Sequence, residues 1–356
     1  MMLQFQFNDR VALSSCNRLD KKTDLGIPED AIFAMAEIHR DAALLHFAHR
    51  AGLFDFLTIP RSTGDVASTF NWVERKVDVL LNALCALGLT LKQDQRYEVT
   101  SNVRKRLVLG SANYIGSYVE VLRRQWDVWK SLPEIMSQDS HVIGQQLLGS
   151  VDNDGFTALF QDAMSQVCDG NIRGLSDLEI WKQGMLVIDL GGGHGLHVAT
   201  LCKKFPGMRG EVWDLNSARQ GAEQNFQRHG VANQASFRVC DLDIDLYASD
   251  TLADAVMLNH VLHHFNPDQA ERILVKAVAM LEPRGSLIVI DQTLHADGYT
   301  PHDSALFSFY LMVNNSKGQL HSVPWISQIL ERCGCSVRLE TCGWNNEDFI
   351  LIATRT

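Results

Sequence analysis

The sequence lacks the long apolar runs that mark membrane proteins. No segment approaches the roughly 20 apolar residues that a spanning helix requires, and residues 1–30 contain no apolar run long enough for a signal peptide. Cysteine pairs at zinc-site spacing are also missing, because Cys333 and Cys335 have no second pair among the eight cysteines. We therefore expect a cytoplasmic protein with reduced thiols, no membrane segment and no metal.

Positive charge is in deficit. The chain has 32 Lys and Arg against 42 Asp and Glu, which gives a net charge of −10. This balance disfavours non-specific binding to nucleic acids and to anionic membranes, because both are themselves negatively charged. The length of 356 residues and the hydrophobic content of 46% are sufficient for two domains with ordinary cores.

The N-terminal part has the pattern of a winged helix. Helical periodicity runs through residues 30–57, shorter helices are predicted near 64–69 and 72–87, and LTLKQDQRYEVT predicts two short strands joined by a polar turn. A winged helix could bind DNA through its second helix. Here the charges of that helix cancel and its other positions are mostly apolar, which favours contact with protein over DNA.

Residues 101–180 are predicted to be mostly helical. Apolar and tryptophan positions recur at helical spacing over 115–136, and a further helix is predicted over 156–167. The large side chains of this region could line an apolar substrate pocket, and they are Trp126, Phe156, Phe160 and Met164. Aromatic residues at helical spacing are more often ordinary core residues, so both interpretations stay open.

The stretch MLVIDLGGGHG, residues 185–195, predicts a cofactor-binding turn. A buried strand ends in a glycine-rich turn, and the helical spacing of HVATLCKKF follows it. The dinucleotide fingerprint requires a glycine where this chain has Leu196. The carboxylate of Asp189, at the mouth of the turn, would repel a phosphate but attract an ammonium group. The turn therefore favours a nucleoside without phosphate, such as S-adenosylmethionine, over a dinucleotide.

Strands and helices alternate over residues 177–356. Asp214, Asp241 and Asp291 follow predicted strands, and ligands bind at the carboxyl ends of strands in open parallel sheets. Asp214 follows the turn at roughly the 20-residue interval of a carboxylate that binds ribose hydroxyls. The segment CGWNNED between the last two strands is too short for a crossover helix. We therefore predict an α/β fold with a Rossmann-like sheet that is parallel except for an antiparallel last strand.

These motifs together resemble the class I S-adenosylmethionine-dependent O-methyltransferases of the family that includes plant caffeic acid and flavonoid methyltransferases, hydroxyindole O-methyltransferase and bacterial natural-product enzymes. The similar segments are VIDLGGGHG, NHVLHHF, AGLFDFL, GDVAST, VDVLLNALCALGLTLK and YEVT. The resemblance covers residues 30–356. It implies a winged-helix dimerisation domain over 1–110, a helical connector lining the substrate pocket over 111–176, a cofactor domain over 177–356, and a homodimer.

The same resemblance implies roles for individual residues. His263 in NHVLHHF would be the general base, and Asp291 would hold it. The implied cofactor contacts are Asp189, Gly191 and Gly193 around the methionine part, Asp214 on the ribose, Asp241 and Leu242 beside the adenine, and Asn259 in the place of a plant lysine. His264 and Asn315 would join the four large side chains in the substrate pocket. The family's second histidine-orienting glutamate is replaced by Leu320, or by Gln319 with a shifted gap.

The predicted reaction is methylation of a hydroxyl on a small aromatic or heteroaromatic acceptor. A neutral imidazole, with a pKa of about 6.5, can take the proton of a phenol, whose pKa is about 10. Two alternatives stay open. In the first, a histidine cluster of His260, His263, His264 and His321 could bind a metal for C-methylation. Adjacent helical residues diverge by about 100°, however, so His263 and His264 are hard to direct at one ion. A methyltransferase-like regulator could instead bind DNA through the winged helix.

Overall fold

The computed structural model describes residues 29–137, 154–244, 252–295, 297–315, 317–340 and 348–356. The chain forms two compact units, Met1–Arg123 and Arg124–Thr356. Residues 111–123 of the predicted connector belong to the first unit, and residues 124–176 belong to the second. The division into a dimerisation domain, a connector and a cofactor domain stays a prediction. No helix within the described ranges is both long and apolar enough to cross a membrane.

The first unit combines short helices with a small antiparallel sheet. Its described helices are α1 (Glu29–Glu37), α2 (His39–Arg50), α3 (Leu53–Phe56), α4 (Thr63–Phe70), α5 (Glu74–Ala86), α6 (Ser101–Leu107) and α7 (Gly116–Arg124). The strands are β1 (Arg61–Ser62), β2 (Thr90–Gln93) and β3 (Arg96–Val99), in the order β1-β3-β2. Because β2 and β3 pair antiparallel, the predicted hairpin is confirmed.

Local signals explain where these helices begin and end. The periodicity over 30–57 predicted one helix, but the chain leaves the helical conformation before α3, where Gly52 has a φ of +73°. At the start of α4 the Ser62 hydroxyl accepts a 3.1 Å hydrogen bond from the Asp65 amide, and the Asp65 carboxylate accepts one of 2.8 Å from the Ser62 amide. The apolar face of α5 packs into the core of this unit through Val77, Leu81 and Leu84.

The second unit places short helices before an α/β domain. Its described helices are α8 (Trp126–Lys130), α9 (Leu132–Ser137), α10 (Asp154–Val167), α11 (Asp169–Ser176), α12 (Leu196–Lys204), α13 (Arg219–His229), α14 (Pro267–Ala279), α15 (His302–Asn314) and α16 (Val323–Arg332). Short 3₁₀ turns cover Asn216–Ala218 and Leu262–His264. The single helix predicted over 115–136 is wrong, because the structure divides this stretch into α7, α8 and α9. Pro133 accounts for the second break, since a proline cannot continue a preceding helix.

A seven-stranded sheet forms the centre of the second unit. Its strands are β4 (Leu186–Leu190), β5 (Arg209–Asp214), β6 (Ala235–Val239), β7 (Ala253–Asn259), β8 (Leu281–Gln292), β9 (Cys335–Glu340) and β10 (Asp348–Arg355). The order is β6-β5-β4-β7-β8-β10-β9, and β10 runs antiparallel to both β8 and β9. The predicted Rossmann-like sheet with an antiparallel last strand is therefore confirmed.

The direction of each strand decides which residues reach the site. All five residues of β4 are buried, with Ile188 in the core on one face of the sheet and Val187 in the core on the other. The carboxyl ends of β4, β5, β7 and β8 meet at one edge because these strands are parallel. The antiparallel β10 brings its beginning to the same edge, where Phe349 pairs with Asp291.

Candidate active site

The glycine turn after β4 has a conformation that requires glycine. Gly191, Gly193 and Gly195 have φ angles of +71°, +47° and +70°, in the left-handed region that side chains disfavour. A Cβ on Gly191 would lie 2.6 Å from Val261 Cγ2, and a Cβ on Gly195 would lie 2.7 Å from the Phe226 ring. The turn therefore keeps a bare backbone at the edge of the sheet.

Asp189 lies beneath this turn. It is 0% exposed, so the expectation that its carboxylate stands at the mouth of the turn is wrong. Its Oδ1 accepts a 3.2 Å hydrogen bond from Asn259 Nδ2, while its Oδ2 has no hydrogen-bond partner in the described part of the chain. Burial, together with the charge of Asp214, raises the pKa of Asp189 to about 8. The carboxyl is thus poised to ionise when a cation comes near.

Asp214 links the end of β5 to the glycine turn. Its Oδ2 accepts a 2.7 Å hydrogen bond from the Gly193 amide, and its Oδ1 accepts one of 2.6 Å from the Leu215 amide. Burial raises the pKa of Asp214, and these two hydrogen bonds oppose the rise. The neighbouring strand β6 brings the half-buried Asp241 and the buried Leu242 to the same edge. The structure therefore brings the predicted cofactor residues together along one edge of the sheet.

His263 lies in the 3₁₀ turn after β7 and is 4% exposed. Its Nδ1 is 2.7 Å from Asp291 Oδ1, a geometry in which Nδ1–H donates to the carboxylate and Nε2 stays available as an acceptor. The Phe307 ring stands edge-on to the imidazole at 5.3 Å. Burial acts to raise the pKa of Asp291, but the neighbouring His263, and after it His260, outweigh burial and the pKa falls to about 2. Asp291 is therefore ionised throughout the physiological pH range.

The histidines considered for a metal site do not all converge. His260 and His263 approach Asp291, and donor atoms of these three residues lie within 4.8 Å of one another, a spacing that a metal ion could use. The hydrogen bond between His263 Nδ1 and Asp291 Oδ1 already engages one donor atom of each of these two residues. His321 is directed away, since its Nε2 lies 3.0 Å from the carbonyl oxygen of Phe265. The His264 ring contacts His263, with ring centroids 4.4 Å apart.

The predicted pocket residues belong to separate groups of contacts. Phe156 and Phe160 lie together on α10, with ring centroids 6.3 Å apart. This helix also carries the half-buried Met164. Its Gln161 lies beside the glycine turn, because a Cβ added to Gly193 would be 3.0 Å from Gln161 Oε1. Trp126 begins α8, which packs against α15. The Asn315 side chain donates a 2.9 Å hydrogen bond to the backbone carbonyl of the exposed His264, so it holds the turn that carries the base.

Several residues of the site escaped sequence reasoning. On α15, Phe307 contacts His263 and Tyr310 contacts Trp129, with ring centroids 6.4 Å apart in the second pair. His197 is buried beside Asp189, with 3.8 Å between its Nδ1 and Asp189 Oδ2. Asp348 reaches the site from the beginning of β10. The predicted reversal of the last strand was a usable signal for Asp348, since the first residue of an antiparallel strand lies at the edge where parallel strands end.

These residues fit S-adenosylmethionine. The first three residues of the turn, Gly191 to Gly193, have no side chains to obstruct a ligand, and Asp189 Oδ2, which accepts no hydrogen bond from the described residues, lies directly beneath them. A ligand ammonium would stabilise the ionised carboxylate there. Asp214, at the end of the adjacent strand, can accept hydrogen bonds from ribose hydroxyls once its bonds to the backbone rearrange. The residues present therefore suit a cationic nucleoside without phosphate.

Comparison with known proteins gives an independent result. The model of a family described as an O-methyltransferase domain matches residues 128–336. The chain is 25% identical over 293 residues, 81% of this chain and 84% of the relative, to the 3-hydroxy-5-methyl-1-naphthoate 3-O-methyltransferase of Streptomyces sahachiroi.

Solved structures agree with this match. An O-methyltransferase family protein from Burkholderia thailandensis superposes with a TM-score of 0.87 at 31% identity, covering 93% of this chain and 99% of the other. Human N-acetylserotonin methyltransferase in complex with S-adenosylmethionine shares the fold with a TM-score of 0.76 at 20% identity, covering 93% and 99%. The chain therefore belongs to the O-methyltransferase family, as the motifs predicted, and is an S-adenosylmethionine-dependent methyltransferase.

Proposed function

We propose that the enzyme methylates a hydroxyl group of a small aromatic or heteroaromatic molecule, with His263 as the general base. The observation that carries this proposal is the buried 2.7 Å pair between His263 Nδ1 and Asp291 Oδ1. It lies at the same edge of the sheet as the glycine turn, because β4, β7 and β8 are adjacent and parallel. A base beside a cofactor turn is the arrangement that methyl transfer to an oxygen requires.

The chain's contribution to the reaction is positioning and proton transfer. When bound, the cofactor supplies an electrophilic methyl group on a sulfonium. Nε2 of His263 takes the proton of the acceptor hydroxyl while the O–C bond forms and the C–S bond breaks. Asp291 holds Nδ1–H and stabilises the imidazolium that results. The negative charge that would develop on the acceptor oxygen as its proton leaves is offset by the positive sulfonium, so the reaction would tolerate an apolar pocket.

The aromatic character of the acceptor rests on the side chains around the base. Phe307 stands at the edge of His263, and the rings of Phe307 and Tyr310 lie stacked 5.7 Å apart. Such rings present apolar faces on which a planar acceptor can pack. The naphthoate methyltransferase to which this chain is similar acts on an acceptor of this kind according to its name.

The first unit supports a homodimer as the working form. It exposes large apolar side chains on α1 and beside it, namely Ile32, Phe33, Met35 and Ile38. Apolar groups at this density usually mark a protein contact. We place this enzyme in the cytoplasm because the described cysteines are free thiols. We assign the second helix of the winged-helix pattern to packing rather than to DNA binding, because it buries apolar residues in its own unit.

A screen with isotope-labelled cofactor tests the function. The purified enzyme is incubated with S-adenosylmethionine carrying a ¹³C methyl group and a panel of hydroxynaphthoates, hydroxyindoles and simple phenols. Each acceptor is paired with the same ring lacking the hydroxyl. We expect the label in a methoxy group of at least one hydroxylated acceptor and in none of the paired controls. Label on a ring carbon or on nitrogen, or consistent turnover of the controls, would contradict the proposal.

A further inference from the structure

His260 is held at the end of β7 in an unusual backbone conformation. Its φ is +53°, in the left-handed region, and its amide donates a 2.8 Å hydrogen bond to the Ile290 carbonyl of β8. Residues other than glycine adopt this conformation rarely, and they cluster at functional sites when they do. The backbone thus directs the His260 ring to the edge where the base lies.

Both ring nitrogens of His260 face a carboxylate. Nδ1 lies 3.8 Å from Asp291 Oδ1, and Nε2 lies 3.6 Å from Asp348 Oδ2. The Asp291 and Asp348 side chains are 5% and 6% exposed, whereas that of His260 is 31% exposed. Asp291 in turn holds His263. Four side chains therefore form a row in the order Asp348, His260, Asp291 and His263.

We propose that His260 and Asp348 are positioning residues of the base, in which Asp348 keeps His260 as an imidazolium and this cation, together with His263, keeps Asp291 ionised and directed at His263 Nδ1. The proposal rests on the proposed function of His263. Two poorly hydrated carboxylates in one cluster repel each other, and a cation between them removes that repulsion. Asp291 can then accept the Nδ1–H of His263 as an ionised carboxylate.

The charges around His260 support an imidazolium. Burial lowers its pKa, but Asp348 and Asp291 outweigh burial, and the pKa is raised above the ordinary value. Among the described residues, the other titratable groups that interact with it include His263, His264 and His197. Burial holds the pKa of His197 well below its ordinary value, so this neighbour is neutral and does not compete for the carboxylates.

The row also accounts for the acidic residue missing near the base. The segment SKGQLHS contains neither Asp nor Glu and so offers no carboxylate. Gln319 instead donates its backbone amide to the His263 carbonyl, and Leu320 is buried. Asp348 supplies a second acid from a different strand and acts through His260. The orienting charge thus enters from β10.

Imidazole NMR tests the proposal without requiring an acceptor. Protein with ¹⁵N-labelled histidine rings is saturated with S-adenosylhomocysteine and titrated from pH 5 to 9 as wild type, Asp348→Asn, Asp348→Glu and His260→Gln. In the wild type at pH 7 we expect both His260 nitrogens protonated and His263 as the Nδ1–H tautomer. Asp348→Asn should lower the titration midpoint of His260 and weaken the Nδ1–H signal of His263, and Asp348→Glu should restore both. The matched control is Asp303→Asn, which removes the carboxylate of another histidine–aspartate pair. That pair, His302 and Asp303, is exposed, and its Nδ1 and Oδ1 lie 2.7 Å apart.

Three results would overturn the proposal. The first is an unchanged His260 titration and His263 tautomer in a folded Asp348→Asn protein. The second is stoichiometric zinc or iron in the purified enzyme with both rings metal-shifted. The third is a kinetic result with any acceptor that the screen provides. With such an acceptor we expect Asp348→Asn to lower kcat about tenfold and to shift the pH profile of kcat at unchanged cofactor affinity. A wild-type profile in that variant contradicts the row. If no acceptor reacts, the proposed function fails, while the NMR titration still decides the role of His260.

Discussion

Asp291 Oδ1 lies 2.7 Å from His263 Nδ1, with both side chains 5% exposed. The two residues come from the ends of neighbouring parallel strands, β7 and β8. A carboxylate this close to a buried imidazole fixes both the tautomer and the direction of the ring. It follows that Nε2 is the ring nitrogen of His263 left to accept a proton whenever the pair is intact.

Replacing His263 should stop turnover and leave the cofactor bound. We expect His263→Gln to lower kcat by roughly 10²- to 10⁴-fold, the usual contribution of a general base. The dissociation constant of S-adenosylhomocysteine should change little, because His263 is not among the proposed cofactor contacts. Steady-state kinetics and calorimetric titration measure the two quantities. His302→Gln removes an exposed histidine with an equally short carboxylate contact and should behave as wild type; comparable kcat in His263→Gln would refute the assignment.

Removing the Asp214 carboxylate should weaken cofactor binding. We expect Asp214→Ala to raise the dissociation constant by about 10- to 100-fold, the range for losing hydrogen bonds to a charged group. Calorimetric titration with S-adenosylmethionine measures it, and thermal unfolding checks that the turn is still folded. Asp254→Ala is the matched control, since Asp254 also accepts a backbone amide at 2.8 Å but lies at the beginning of β7. Unchanged affinity in Asp214→Ala would place the ribose elsewhere.

Cofactor binding should take a proton from Asp189. Its pKa of about 8 leaves the carboxyl mostly protonated at pH 7, and a cationic ligand favours the ionised form. Affinity for S-adenosylmethionine should therefore rise with pH between 6 and 7.5, approaching about tenfold per pH unit. Calorimetry in buffers of different ionisation enthalpy counts the released protons. The pH dependence should disappear in Asp189→Asn; a flat profile in the wild type would show that Asp189 does not meet the ligand cation.

Acid should destabilise the fold through His194. Burial lowers the pKa of His194 to about 4, below the 6.5 of the unfolded chain. The unfolded state therefore binds more protons between pH 6.5 and 4, and folding stability falls as the pH decreases through that window. The loss from His194 at pH 5 should be about 2 kcal/mol. Urea unfolding at pH 7 and pH 5 measures the difference, which should shrink in His194→Gln and persist when the exposed His39 is replaced by glutamine. Equal pH dependence in the wild type and His194→Gln would contradict this prediction.

The sequence predicts the sheet and its edge well because both follow from local patterns. The buried run before Gly191 and the short segment before β10 determine strand type and direction with little help from distant residues. The burial of Asp189 was not predictable in this way, since it depends on Asn259, which lies 70 residues further along the chain. The same holds for Asp348, whose role depends on the angle at which His260 leaves β7. Side-chain charge and burial at the site are products of tertiary packing, which a periodicity in the sequence does not encode.

The pairing of β10 with β8 has a consequence for how the enzyme matures. This strand follows all the other described strands in the chain and pairs with one whose Asp291 precedes Phe349 by a long stretch of sequence. This strand is therefore the last of them to be synthesised. During synthesis the glycine turn and the base can be present while the last strand is still missing. Such a chain would lack Asp348, so on the proposed role of that residue the base becomes fully efficient only when the final strand has docked.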